Sequence, residues 1–225
     1  MSMAFLLFTA IGTISHEYGH IWVAKALGYK TSLHYGSMEF DNPTLIAQQQ
    51  ELYATRKTAI EHGNHFEHEA EYEHLTNRLR QNEFLILLGG PLQTMLTGLF
   101  GLSILFFRRK NRSRYQLRFI DWLAVFLSLF WLRQVFNLVL SVSKAIISSG
   151  ESYFGGDEKK LSELLNLWPG SFSVVLACVG LFIALFVVFR IVPQHLRPTF
   201  IISGLVGGTS GFILWMQVLG PQILP

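Results

Sequence analysis

The sequence predicts an all-α membrane protein, a polytopic helical bundle of about five transmembrane helices with a polar, mainly helical insert between the first two. Three observations carry this expectation. Only 15% of the 225 residues are charged while 50% are hydrophobic, against about 25% charged in an average soluble domain. The apolar residues are gathered into blocks near the ~20 residues that a helix needs to cross a bilayer. The charges fall between the blocks: six of the 18 basic residues lie within residues 108–118, as expected of a cytoplasmic loop. The same composition excludes other classes. Intrinsic disorder requires low hydrophobicity and high net charge. The single cysteine, Cys178, excludes a disulfide-stapled secreted module. The pI near 9.1 comes with no folded basic face, so no nucleic-acid partner is expected.

Taken in order, residues 3–28 form the first expected membrane helix. No basic residue precedes its apolar run, and the run leads into a charged motif instead of a small-residue cleavage site, so a signal peptide is not expected. Residues 29–83 form the insert, with nine acidic and five basic residues. Residues 30–36 read as a short strand, Asp41-Asn42-Pro43 as a turn, and residues 45–79 as two helices split at Gly63-Asn64. The remaining expected spans are residues 84–107, 119–147, 172–192 and 199–219, all within a core domain of residues 84–219. The third span is long enough to tilt or kink and carries Asp121, Arg133 and Lys144. Cys178, alone in the fourth span, reads as core packing. If the third span is single, the positive-inside rule places the N-terminus inside, and the insert, residues 148–171 and the C-terminus outside. The expected localisation is integral and multi-pass, with the lipid bilayer itself as a partner.

His16-Glu17-Tyr18-Gly19-His20 is the segment that carries chemistry. Residues four apart share a helix face, so His16 and His20 can point at one metal ion while Glu17 reaches an adjacent water. This is the H-E-x-x-H arrangement of zinc hydrolases. The bland alternative is a helix end at the interface with merely hydrogen-bonded histidines; the cost of three ionisable groups in an apolar helix weighs against it. A catalytic zinc site takes three protein ligands and leaves a position open. Glu151, Asp157 and Glu158 are candidates for the third, and Asp157 follows Gly155-Gly156, whose flexible backbone allows close approach.

Ile14-Ser15-His16-Glu17-Tyr18-Gly19-His20, followed by Val23-Ala24-Lys25-Ala26-Leu27-Gly28, resembles the first core helix of the site-2 protease family of intramembrane zinc metalloproteases. Gly89-Gly90-Pro91-Leu92 is similar to the Gly-Pro-Leu segment of that family's later core helix. Asn137 and Asp157 match its asparagine and its aspartate. The resemblance spans roughly residues 5–164, with a large insert. It implies Zn2+ held by His16, His20 and Asp157, with Glu17 as general base. It also implies a membrane-protein substrate unwound before cleavage, and Asn137 at the substrate backbone or the oxyanion. The chain departs from the family pattern at three points. Thr94 stands where an asparagine is common, Asn137 and Asp157 are twenty positions apart with no proline between them, and Glu158 follows the aspartate. The family's site lies nearer the cytoplasmic face, opposite to where the charge count puts the insert.

His62, His65, His68 and His74 sit among Glu67, Glu69, Glu71 and Glu73. A second metal site or a gate over the active site is one reading. A solvated acidic helix with incidental histidines is the favoured one, because Gly63-Asn64 interrupts the shared face. Two other functions compete with proteolysis. A metal transporter with a histidine-rich loop needs ligands on facing spans, and the fourth and fifth spans offer no carboxylate or histidine. A catalytically silent scaffold has no use for Glu17. Residues 30–35 could hold an unwound substrate by strand addition.

Overall fold

The computed structural model describes the chain except for residues 63–64, 111–115 and 148–153. The expected helix break at Gly63-Asn64, the middle of the basic stretch and the candidate ligand Glu151 therefore lie outside the described residues.

The first helix, α1, runs Ser2–Ala26. It ends where Gly28 takes a positive φ of 84°, a conformation that costs glycine nothing. A hairpin follows: β1 (Lys30–Leu33) pairs antiparallel with β2 (Met38–Asp41), Lys30 opposite Asp41 and Leu33 opposite Met38. The expected strand is thus half of a hairpin. Its partner was hidden because Met38-Glu39-Phe40-Asp41 is too short for a clear period-2 signal. Asn42 then caps α2 (Pro43–Glu61), accepting the Leu45 amide at 3.2 Å, with proline at the first helical position, where a missing N–H costs nothing.

Helix α3 is continuous from Glu69 to Phe107. The second helix of the insert and the second expected span are one element, since no helix breaker stands between residues 69 and 88. Pro91 lies inside it and removes one backbone donor. Helix α4 (Phe119–Ser128) passes through a tightened turn at Leu129–Trp131 into α5 (Leu132–Ile147). A short α6 (Gly156–Leu164), α7 (Ser171–Phe186), α8 (Arg197–Leu214) and a terminal turn, α9 (Gly220–Ile223), complete the chain.

Among the described residues, four stretches are helical, long and apolar enough to cross a membrane: Glu69–Phe107, Phe119–Ile147, Ser171–Ile191 and Gln194–Ile223. Their outward faces expose Phe100, Phe107, Phe119, Phe182 and Leu205, an apolar surface too extensive for a helix bundle in water. Cys178 is also exposed, which corrects its assignment to the core: it lies on the outward side of α7.

Helix α1 packs against α3 and α8, α3 also against α4 and α6, and α5 against α7. One core joins Phe5, Phe126 and Phe200, with ring centroids 5.0 Å apart from Phe5 to each of the others, and extends through Leu105, Val125, Val187 and Val192. A second core of Ala24, Tyr29, Leu45, Leu75 and Ile86 ties the insert to the end of α1. There Asn82 donates to the Tyr29 hydroxyl at 3.1 Å. The site lies between these two cores.

Candidate metal centre

Helices α1 and α3 meet backbone to backbone at the site. A methyl group on Gly19 would lie 2.5 Å from the Gly89 carbonyl oxygen, and one on Gly89 would lie 2.5 Å from that of Gly19. Next along α3, a methyl group on Gly90 would collide with the Nε2 atoms of both His16 and His20. The Gly89-Gly90 pair thus gives the two imidazoles their room.

Helix α3 also orients both rings. Thr94 donates its hydroxyl to the Gly90 carbonyl at 3.1 Å and accepts Nδ1–H of His16 at 2.9 Å. His20 donates Nδ1–H to the Ile86 carbonyl at 2.7 Å. With the protons fixed on Nδ1, the Nε2 lone pairs of both rings face inward. Such partners for the far nitrogen are what fix the tautomer and angle of a metal-bound histidine.

The third group comes from α6. Gly156, at φ +74°, turns the chain into that helix, and Arg80 of α3 holds the far end by donating to the Leu164 carbonyl at 2.8 Å. Asp157 Oδ2 then lies 3.0 Å from His16 Nε2 and 3.2 Å from His20 Nε2, and the two nitrogens are 3.3 Å apart. Among the described residues this is the group able to hold a metal ion. Three acceptor atoms facing one another repel unless a cation or a proton lies among them. A tetrahedral ion with bonds of 2.0–2.1 Å has ligand–ligand edges of about 3.3–3.4 Å. The observed triangle is close to that size, so the donor set fits such an ion. His16 and His20 are buried and Asp157 is partly so.

Glu17 is buried beside this triangle, with its carboxylate 3.8 Å from a terminal nitrogen of Arg133 on α5. One turn on, Asn137 donates to Glu158 at 3.0 Å. Asn137 is therefore engaged with the residue after Asp157. Burial pushes the Glu158 carboxyl up.

The sequence pointed to His16, Glu17, His20, Asp157 and Asn137; the structure gathers His16, His20 and Asp157 into one triangle, with Glu17 buried next to His16 on α1 and Asn137 bonded to Glu158 instead. It passed over Arg133 and Thr94 as site residues. The available signal for Arg133 was a guanidinium in an apolar helix, which is costly enough to call for a partner. Thr94 gave none beyond its departure from the family pattern.

The histidines of the insert form no such group. His62 donates to the Thr58 carbonyl, His65 meets Glu69 at 2.7 Å, and His68 meets Glu71 at 3.2 Å. Helix α2 ends at Glu61 and α3 begins at Glu69, so these residues do not share one helical face. None of the four, His74 included, joins a metal-holding group among the described residues.

Comparison with protein-family models, curated proteins and solved structures finds no match for this chain.

Proposed function

We propose that this protein is an intramembrane zinc endopeptidase with α1 as a fifth membrane-spanning helix. The observation that carries the reading is the convergence of His16 Nε2, His20 Nε2 and Asp157 Oδ2 to within 3.0–3.3 Å, with the Glu17 carboxylate buried alongside. A site that only stored a metal would need no carboxylate beside it. The resemblance of Ile14–His20 and Gly89–Leu92 to site-2 proteases supports the same reading.

His16, His20 and Asp157 would hold the zinc, which when bound supplies the Lewis acidity that makes water a nucleophile near neutral pH. Glu17 takes the proton of the attacking water as its oxygen bonds to the scissile carbonyl carbon, and the carbonyl π pair moves onto the oxygen. Glu17 then delivers that proton to the amide nitrogen as the C–N bond breaks. The free edges of the β1–β2 hairpin offer backbone groups to an unwound substrate segment. Asn137 acts through Glu158 and so holds α6, and with it Asp157, at the site.

The test uses the full chain, reconstituted in liposomes with single-span model substrates. Wild type should cleave, and Glu17→Gln should retain zinc but lose cleavage. Equal cleavage by the two would remove Glu17 from the reaction.

A further inference from the structure

Arg133 is the unexplained charge of the site. It lies early in α5, inside a stretch apolar enough to cross a membrane. Placing a guanidinium there is expensive, and such groups pair or serve function. Its pairing is incomplete. A terminal nitrogen meets Glu17 at 3.8 Å, beyond hydrogen-bond length, while Nε–H is buried with no hydrogen-bond partner among the described residues. A buried donor left unmade costs free energy, so this one is held ready for an acceptor that the chain does not supply.

The chemistry at Glu17 supplies one. When water adds to the scissile carbonyl, negative charge builds on an oxygen within reach of the base. Asn137, the other donor that sequence offers for this task, is already committed to Glu158 at 3.0 Å. The terminal nitrogen near Glu17 and the unused Nε–H lie on one edge of the guanidinium, so an oxygen beside the Glu17 carboxylate can accept from Nε–H. A planar fork of this kind can stay beside a carboxylate and still bond a second oxygen.

We infer that Arg133 is a catalytic residue whose Nε–H donates to the oxyanion formed at the scissile carbonyl. This rests on the reading of the site as a zinc peptidase. It adds an electrostatic stabiliser supplied by α5, a helix that holds none of the three metal ligands. The carbonyl π pair that moves onto oxygen during addition is what the donor stabilises, and it returns to re-form C=O as the protonated nitrogen leaves as the amine.

The probes are a capped Leu–Leu phosphinic pseudopeptide, whose anionic oxygens imitate the tetrahedral centre, and a capped leucine hydroxamate, which engages a metal through chelation. Zinc content and the affinity of both probes are measured for the full chain in detergent. Arg133→Gln should retain zinc and hydroxamate affinity and lose roughly 10²–10³-fold in phosphinate affinity, the range for removing one oxyanion donor. Arg133→Lys keeps the charge beside Glu17 and removes the fork, so it should recover only a small part of the loss. It also decides the matter if the glutamine variant does not fold. Phosphinate affinity at the wild-type level in Arg133→Gln, or full recovery by lysine, overturns the oxyanion role and leaves the peptidase reading standing. A zinc-loaded wild type that binds hydroxamate but not phosphinate overturns both.

Discussion

At the scale of single residues, the centre depends on what is missing from Gly90 as much as on what His16 and His20 supply. Gly90→Ala places a methyl group where both Nε2 atoms must converge. It should abolish zinc binding while leaving the far-UV circular dichroism spectrum unchanged. Thr94→Val removes the acceptor for His16 Nδ1–H, a bond of 2.9 Å. Losing a partner of this kind lowers metal affinity by roughly 10–100-fold, which competition with a chromogenic chelator would read. His65 gives a separate test outside the membrane. Its hydrogen bond with Glu69, followed by the attraction of that carboxylate, raises its pKa above the ordinary imidazole value. The small stabilisation from the pair is present at low pH and is lost as pH rises through that raised value. Glu69→Gln should shift the titration of His65, followed by NMR, back downward. Residue identities in the H-E-x-x-H segment were legible because helix periodicity alone puts His16 and His20 on one face. Arg133 and Thr94 were not, because their roles depend on which helix lies opposite.

At the scale of elements, α3 is the organiser. It presents Gly89 to α1, orients both imidazoles through Ile86 and Thr94, and anchors the end of α6 through Arg80. Its backbone contact with α1 makes Gly19 and Gly89 intolerant of any side chain. Gly19→Leu should separate the two helices and reduce thermal stability and zinc binding together, whereas Gly90→Ala reduces zinc binding alone. Thermal unfolding followed alongside metal content distinguishes the two cases. The apolar blocks of residues 84–107 and 119–147 made these helices visible in sequence. The continuation of α3 back to Glu69 was not visible, because a polar helix and an apolar one joined without a breaker look like two elements in different solvents. The hairpin was half visible for a related reason: four-residue strands carry too little pattern, and pairing fixes them.

At the scale of the whole molecule, the exposed aromatic and aliphatic faces require a hydrocarbon surrounding, and Cys178 on α7 reports on it. In intact liposomes Cys178 should resist a membrane-impermeant maleimide and react with a lipid-soluble one; after denaturation in detergent both should label it. Free reaction with the impermeant reagent in intact liposomes would place that face of α7 in water. The fold class was legible because lipid imposes its constraint on composition directly. The assembly of the site was less so, because the ligands are remote in sequence: 141 positions separate His16 from Asp157. That separation has a consequence in time. At ribosomal rates of 5–20 residues per second, roughly 7–28 s pass between synthesis of the first ligand and the last. Throughout that interval the pair His16 and His20 lacks its third partner from α6. In the proposed peptidase, the closing carboxylate on α6 arrives only after α1, which carries both histidines, and α3 to α5 have been made, so the site stays incomplete until then.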